Sequence, residues 1–314
     1  MSELILQTKG LTKRYGHTLA LDHADLTLEK GQILGLVGRN GAGKTTLIRL
    51  ISGQSYPTQG ELTLFGASTP AALNHVRSRT GAMVEIPSFY PYLTARQNLE
   101  YYRIQRGIPG STCVDEALEQ VRLTDTGKKK FKTFSLGMKQ RLGLALALMN
   151  HPEFLLLDEP INGLDPEGIV EFRELLLQLN RERQTTILIS SHILSELSTL
   201  ATHYAFIEQG RVLESISANH LREKCRECLE LTVDDTAKAA RVLEEQLGTR
   251  DFEVLPHSRL RLYTFLDQPQ TVNRVLLEHG VGLISVQQQD SNLEDYFLSL
   301  IGTHPSGSAG KEGF

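Results

Sequence analysis

Nine residues near the start of the chain, GRNGAGKTT at 38–46, have the makeup of a loop that holds phosphate. They match G-x-x-x-x-G-K-[ST] between a predicted strand, QILGLVG at 32–38, and a predicted helix, TTLIRLISG at 45–53, closed by Gly53. That context is what the motif requires. The loop turns its backbone N–H groups around a triphosphate, a lysine reaches the β- and γ-phosphates, and a hydroxyl holds Mg²⁺. Lys44 and Thr45 take the last two roles, and Gly38, Arg39, Asn40, Gly41, Ala42, Gly43 and Thr46 complete the cradle. A second group is FLLLDEP at 154–160, an apolar run ending in two carboxylates. At a strand's C-terminal end beside such a loop, Asp158 is placed to bind Mg²⁺ through water, and Glu159 to polarise an attacking water. SSH at 190–192 ends the next apolar run, so His192 shares that edge and can contact the γ-phosphate or hold the water. A third group is TFSLGMKQRLGLALALMN at 133–150, a predicted helix with Ser135 as N-cap. The free N–H groups at its start, with the Ser135 hydroxyl and Gly137, form a second anion site. The chain thus has two phosphate-binding helix starts and one nucleotide loop.

The elements that must position these groups follow from hydrophobic patterning. Residues 3–8 and 19–28 alternate apolar and polar positions and predict antiparallel strands; ELTLFG at 61–66 is another strand. Residues 86–150 read as mainly helical: LTARQNLEYYRIQRG, VDEALEQVRL and the helix opening at Ser135. The unbroken apolar runs at 153–160 and 185–192 predict buried strands. GIVEFRELLLQLNRE and HILSELSTLA are predicted helices, and YAFIEQGRVLES is a hairpin turning at Gln209-Gly210. This alternation reads as α/β with a parallel core sheet. After about residue 216 the pattern becomes β-α-β-β-α-β, which suggests a small α+β, ferredoxin-like domain over 216–302. The remainder, 303–314, lacks apolar periodicity and is expected to be disordered.

Composition narrows the functional classes. Of 314 residues, 33 are Lys or Arg and 37 Asp or Glu, so the formal net charge is -4 and nothing overall favours a nucleic-acid partner. The basic run KKKFK at 128–132 is expected to be a solvated loop before the helix at Ser135. Three cysteines fit a reducing compartment; Cys225 and Cys228 form an isolated C-x-x-C on a predicted helix end, with no second pair to complete a zinc site. No basic segment followed by an apolar core opens the chain, and the runs LGLALALM and FLLLD are far shorter than the ~20 residues a spanning helix needs. The chain is therefore not expected to cross a membrane by itself.

Taken in order, GRNGAGKTT, FSLGMKQR, LLLDEP, NGLDP and SSH resemble the nucleotide-binding subunit of an ABC transporter, over residues 3 to about 215. The resemblance implies a P-loop NTPase fold of the ABC type over 1–215, with a helical subdomain at about 86–150. It implies ATP and Mg²⁺ as ligands and a head-to-tail homodimer. ATP is then sandwiched between one subunit's P-loop and the other's signature helix, here FSLGMK, so Ser135 and Gly137 serve the partner's ATP. Two positions depart from the common LSGGQ: Leu136 replaces the second glycine and Met138 the glutamine. Tyr15 in KRYG matches the adenine-stacking aromatic, and Asp165 in NGLDP the loop that crosses the dimer interface.

The stretch GAMVEIPSFYPYLTARQNL carries Glu85 where the family usually has glutamine, and a carboxylate there can ligate Mg²⁺ directly or through water. With FSLGMKQRLGLA and the extension ending in LEDYFL, it resembles exporters that give bacitracin resistance or lantibiotic self-immunity. Phe89, Tyr90 and Tyr92 are either core or the groove for a helix of the membrane subunit. The expected function is ATP hydrolysis powering peptide-antibiotic export through a separate membrane permease, at the cytoplasmic face of the cell membrane. The alternative is a soluble ABC-type ATPase acting on nucleic acid or the ribosome. Against it stand the absence of a long heptad segment, of a second P-loop and of net basic charge. A regulatory module without turnover would not need both Glu159 and His192.

Overall fold

The computed structural model describes residues 3–84, 88–289 and 293–303. Glu85 and the tail 304–314 lie outside the described residues. The chain divides into two compact units, Met1–Ala218 and Asn219–Phe314.

The first unit opens with two long strands, β1 (Leu4–Tyr15) and β2 (Thr18–Glu29). β2 matches the predicted 19–28 to within one residue at each end, whereas β1 runs well beyond the predicted 3–8, because a tight turn at Gly16 (φ +56°) keeps the two strands paired to their ends. Six strands form the central sheet: β3 (Ile33–Val37), β5 (Thr80–Met83), β6 (Phe154–Asp158), β7 (Thr186–Ser191), β8 (His203–Glu208) and β9 (Arg211–Ser217). Their order is β5-β6-β7-β3-β8-β9, with the first five parallel and β9 an antiparallel edge. Every residue of β3, β6 and β7 is buried, as their unbroken apolar runs require. A second, antiparallel sheet has the order β2-β1-β4, with β4 at Gln59–Leu64.

Helix α1 (Lys44–Ser52) lies between these sheets. Its Leu47, Ile48, Leu50 and Ile51 share one cluster with Leu34, Leu36, Leu156 and Leu188 of the central sheet and with Ile5, Leu6, Leu26 and Leu28 of the other. Each such leucine or isoleucine contributes roughly 1.5–3 kcal/mol by burial. The loop preceding α1 is therefore anchored to a helix that cannot shift without opening two sheets.

Helices α2 (Pro70–Val76), α3 (Ala95–Gln105), α4 (Thr112–Gln120), α5 (Leu136–Leu148) and α6 (Pro166–Arg183) complete most of the unit. Thr94 and Gln97 form a capping box that starts α3. The helix expected from HILSELSTLA shrinks to one turn, α7 (Leu194–Leu197). The Ser191 hydroxyl accepts the Ile193 N–H at 2.9 Å and holds that residue extended, which delays the start; turn bonds such as Leu200 N–H to Leu197 O follow.

The KKKFK segment is exposed at its lysines but is not a loose loop. The Phe131 and Lys132 N–H groups bond Leu93 and Pro91 carbonyls at 2.9 Å, tying it to the turn before α3. The aromatics ahead of α3 split. Phe89 is buried against Tyr102 and Phe131, whereas Tyr90 and Tyr92 are exposed.

Helix α8 (Ala218–Lys224) starts at the last residue of the first unit, and the second unit continues with β10 (Cys228–Val233), α9 (Thr236–Gln246), β11 (Phe252–Leu255), β12 (Arg259–Leu262), α10 (Pro269–Glu278), β13 (Leu283–Gln289) and α11 (Leu293–Thr303). The sheet order β11-β12-β10-β13, antiparallel throughout, is the ferredoxin-like arrangement expected from β-α-β-β-α-β. Leu229, Leu231, Leu260 and Leu262 pack with Ala239, Leu243, Val272 and Leu276 in its own core. Cys228 is not on a helix end: it begins β10 and is buried. Burial raises both the Cys225 and Cys228 thiols above the usual range, which disfavours the reactive thiolate.

Candidate nucleotide site

The phosphate-loop residues leave β3 at Val37 and turn directly into α1. Two positions demand glycine. A Cβ on Gly38 would stand 2.4 Å from the Ile207 carbonyl oxygen, and Gly43 has φ +111° with the Ala20 carbonyl 2.8 Å from its Cβ position. The loop is also held from outside, because the Gly210 N–H donates to the Ala42 carbonyl at 2.8 Å. Residues Asn40, Gly41, Gly43, Lys44, Thr45 and Thr46 line a cleft of about 190 Å³ together with Ala20 and Glu159.

Lys44, Glu159 and His192 come from three separate motifs and meet here. Lys44 is 4% exposed, and its ammonium donates to the Gly38 and Arg39 carbonyls at 2.7 and 3.1 Å. It also lies 3.1 Å from Glu159 Oε1. Glu159 Oε2 is 3.2 Å from His192 Nδ1 and accepts from Asn162 Nδ2 at 3.3 Å. Glu159 itself has φ +45°, in the left-handed region that a residue with a Cβ rarely occupies. Its N–H donates to the Ser190 hydroxyl at 2.9 Å.

Asp158 is buried one residue earlier. Its Oδ2 accepts from the Thr45 hydroxyl and its Oδ1 from the Ser190 hydroxyl, both at 2.7 Å. Thr45 and Asp158 thus offer two adjacent oxygen donors. Among the described residues no group of three or more His, Cys, Asp or Glu could cage a metal. Such a sparse oxygen set suits Mg²⁺, which keeps waters and shares phosphate oxygens with few protein ligands.

The residues of the predicted second anion site lie elsewhere. Ser135 caps α5, its hydroxyl accepting the Met138 N–H at 3.3 Å, and Asp165 caps α6, accepting the Gly168 N–H at 3.1 Å. Both helix starts open onto a cavity of about 440 Å³ that Gly137, Leu136, Gly163 and Arg141 also line. Arg141 pairs with Glu171 of α6, bracing the two helices. No residue lines both this cavity and the phosphate-loop cleft. Tyr15 lines neither; it is 45% exposed, with its hydroxyl 3.3 Å from that of Ser55 and the Lys13 ammonium 4.8 Å above its ring.

Two residues in contact with the predicted set escaped sequence reasoning. Asn162 sits inside the NGLDP motif, and Ser190 is the first serine of SSH. The available signal for Ser190 was a hydroxyl closing the apolar run ILI at 187–189, but nothing local says what it bonds.

Residues 21–162 match the family model described as ABC transporter. The bacitracin transport ATP-binding protein BcrA of Bacillus licheniformis is 43% identical over 298 residues, covering 95% of this chain and 97% of that protein. The chain belongs to the ABC transporter ATP-binding proteins. That likeness to BcrA runs nearly end to end, so it includes the second unit as well as the first. The lantibiotic transport ATP-binding protein SrtF of Streptococcus pyogenes is 39% identical over 209 residues, or 67% of this chain and 89% of its own length. The dimeric, post-hydrolysis ATP-binding cassette MJ0796, bound to ADP and Pi, shares the fold at a TM-score of 0.62 and 24% identity. It covers 68% of this chain and 99% of that one.

Proposed function

We propose that this ABC protein binds and hydrolyses ATP as a head-to-tail homodimer at the cytoplasmic face of the cell membrane. It powers export of a peptide antibiotic or similar amphipathic compound through a separate membrane permease. The convergence of Lys44, Glu159 and His192 beside the Thr45–Asp158 pair carries the enzymatic part of the reading. The likeness to bacitracin and lantibiotic transport proteins supports the cargo. No helix among the described residues is long and apolar enough to cross a membrane, which fits a peripheral subunit.

The loop's N–H groups take the α- and β-phosphates, and Lys44 takes the β- and γ-phosphates. Phosphate oxygens must compete with the carbonyls of Gly38 and Arg39 and with Glu159 for the Lys44 ammonium. Drawing Lys44 towards phosphate releases Glu159 Oε1, the oxygen needed to accept a hydrogen bond from the attacking water. Activation of the base is thereby tied to arrival of the γ-phosphate. His192 and Asn162 hold the other oxygen, so the carboxylate keeps its orientation while Oε1 turns to water. Mg²⁺, held by Thr45 and Asp158, would neutralise charge on the phosphate oxygens. Ser135, Gly137 and Asp165 lie outside this cleft, which supports their assignment to the partner's nucleotide. Tyr15, exposed at the end of β1 with the Lys13 ammonium over its ring, is assigned the adenine-stacking role. Glu85 is proposed as a further Mg²⁺ ligand on its residue type alone.

The test is affinity purification of the Glu159→Gln chain from detergent-solubilised native membranes with ATP and Mg²⁺, followed by mass spectrometry. A stoichiometric multi-span membrane protein is expected. Ribosomal or chromosomal partners without one would overturn the transporter reading.

A further inference from the structure

We propose that Ser190 is a positioning residue that sets both acidic groups of the nucleotide site at once. This rests on the reading of Asp158 and Glu159 given above. Ser190 is fully buried in β7, directly opposite Asp158 in the parallel pairing of β6 with β7. Its hydroxyl has one proton to donate and lone pairs to accept with. The proton goes to Asp158 Oδ1 at 2.7 Å, and a lone pair receives the Glu159 N–H at 2.9 Å.

Each bond has a distinct consequence. The terminal torsion of an aspartate is broad, so packing alone does not fix the plane of its carboxylate. Ser190 holds Oδ1, and Thr45 Oγ1 bonds Oδ2, at 2.7 Å each. With both oxygens engaged, the plane is set and Oδ2 faces the loop hydroxyl. The bond to Glu159 acts on the backbone. β6 ends at Asp158, so the next N–H has left the ladder and needs another partner. Ser190 supplies it and steadies Glu159 at φ +45°, the turn that aims its carboxylate at Lys44 and His192. Loss of the hydroxyl would leave Asp158 Oδ1 and the Glu159 N–H without these partners in a buried setting, and the strained turn would lose its anchor.

The prediction separates hydroxyl from shape by comparing Ser190→Thr, which keeps the hydroxyl, with Ser190→Val, its near-isostere without one, and Ser190→Ala. Steady-state ATP hydrolysis is read as kcat and KM for each full-length chain. Affinity for a trinitrophenyl-ATP probe is measured with and without Mg²⁺. Misplacing reacting groups by about 1 Å can cost about 10²-fold. Ser190→Val and Ser190→Ala should therefore lose roughly 10- to 100-fold in kcat, with KM rising by no more than the lost Mg²⁺-dependent tightening. They should bind the probe normally without Mg²⁺ but lose most of the Mg²⁺-dependent tightening. Ser190→Thr should stay near wild type in both readouts. If Val or Ala matches wild type, or Thr falls as far as Val, the proposal is overturned. A wild-type chain that neither hydrolyses ATP nor binds the probe would instead defeat the functional reading beneath it.

Discussion

At the scale of single residues, Glu159 is the group on which the proposed turnover rests. Lys44 sits on one of its oxygens, and His192 and Asn162 on the other. Glutamine has nearly the same shape and keeps a carbonyl oxygen for some of these contacts, but it is a far weaker base. Glu159→Gln should therefore lower kcat about 10²–10⁴-fold while ATP affinity stays near wild type. Phosphate release alongside fluorescent nucleotide titration checks this; parallel loss of both would make Glu159 a binding residue. Lys44, Asp158, Glu159 and His192 were legible in the sequence because each ends or follows an apolar strand in a short motif. Ser190 and Asn162 were not given roles. Their partners are identified by where a side chain points, and Ser190 bonds a residue 32 positions away.

At the scale of elements, two anchors invite tests. The start of α5 combines a structural cap with the proposed contact to the partner's ATP. Ser135→Ala should cost about 1 kcal/mol as a lost N-cap. It should abolish hydrolysis yet leave nucleotide binding to the same chain intact. A urea melt, a nucleotide titration and a turnover assay separate these effects, and equal loss of binding and turnover would sink the assignment in trans.

The other anchor is the β8–β9 hairpin, which turns at Gln209-Gly210 as its sequence predicted, with both φ values positive. Gly210 bonds the phosphate loop at Ala42, and its carbonyl accepts the Asp22 N–H at 2.8 Å. Asp22 also accepts from Arg211 Nε at 2.6 Å and lies 2.6 Å from His23 Nδ1. The His23 hydrogen bond, followed by Arg211, holds the Asp22 carboxyl below its ordinary value. This clamp is therefore in force above the ordinary carboxyl value of about 3.9 and fades as pH falls through the lowered folded value. Asp22→Asn should cost about 1 kcal/mol at neutral pH, a figure already discounted for the exposure of Arg211. The difference from wild type should shrink below about pH 4. Denaturant melts at pH 7 and pH 3 check this, and a difference independent of pH would exclude the ionised clamp.

At the scale of the whole molecule, each unit has a hydrophobic core of its own. Residues 1–218 should accordingly fold alone and bind ATP with near full-length affinity. Circular dichroism melting and nucleotide titration of that fragment test it; an unfolded or non-binding fragment would show that the second unit is needed for the first. The sequence signalled this division through a change of pattern near 216, from a parallel α/β repeat to β-α-β-β-α-β. It read the ends of elements less well. β1 ran on to Tyr15 because pairing with β2 stabilised polar positions that periodicity alone would have released. The last predicted helix of the unit starts two residues late, where the Ser191 hydroxyl holds the Ile193 backbone, and gives way to turn bonds after Leu197.

By itself the sequence determined what is local: a phosphate loop contained in nine residues, a capped helix start at Ser135, and buried strands ending in Asp158-Glu159 and His192. The tertiary structure decided which of these meet. In the sheet order β5-β6-β7-β3-β8, strand β7 lies between the strand that ends in the acidic pair and the strand that feeds the phosphate loop. Its end consequently supplies both Ser190 and His192 to groups far away in the chain. Hydrophobic burial makes each strand a strand. Hydrogen-bond pairing between strands, which has no signature within any one of them, sets their order and so builds the site.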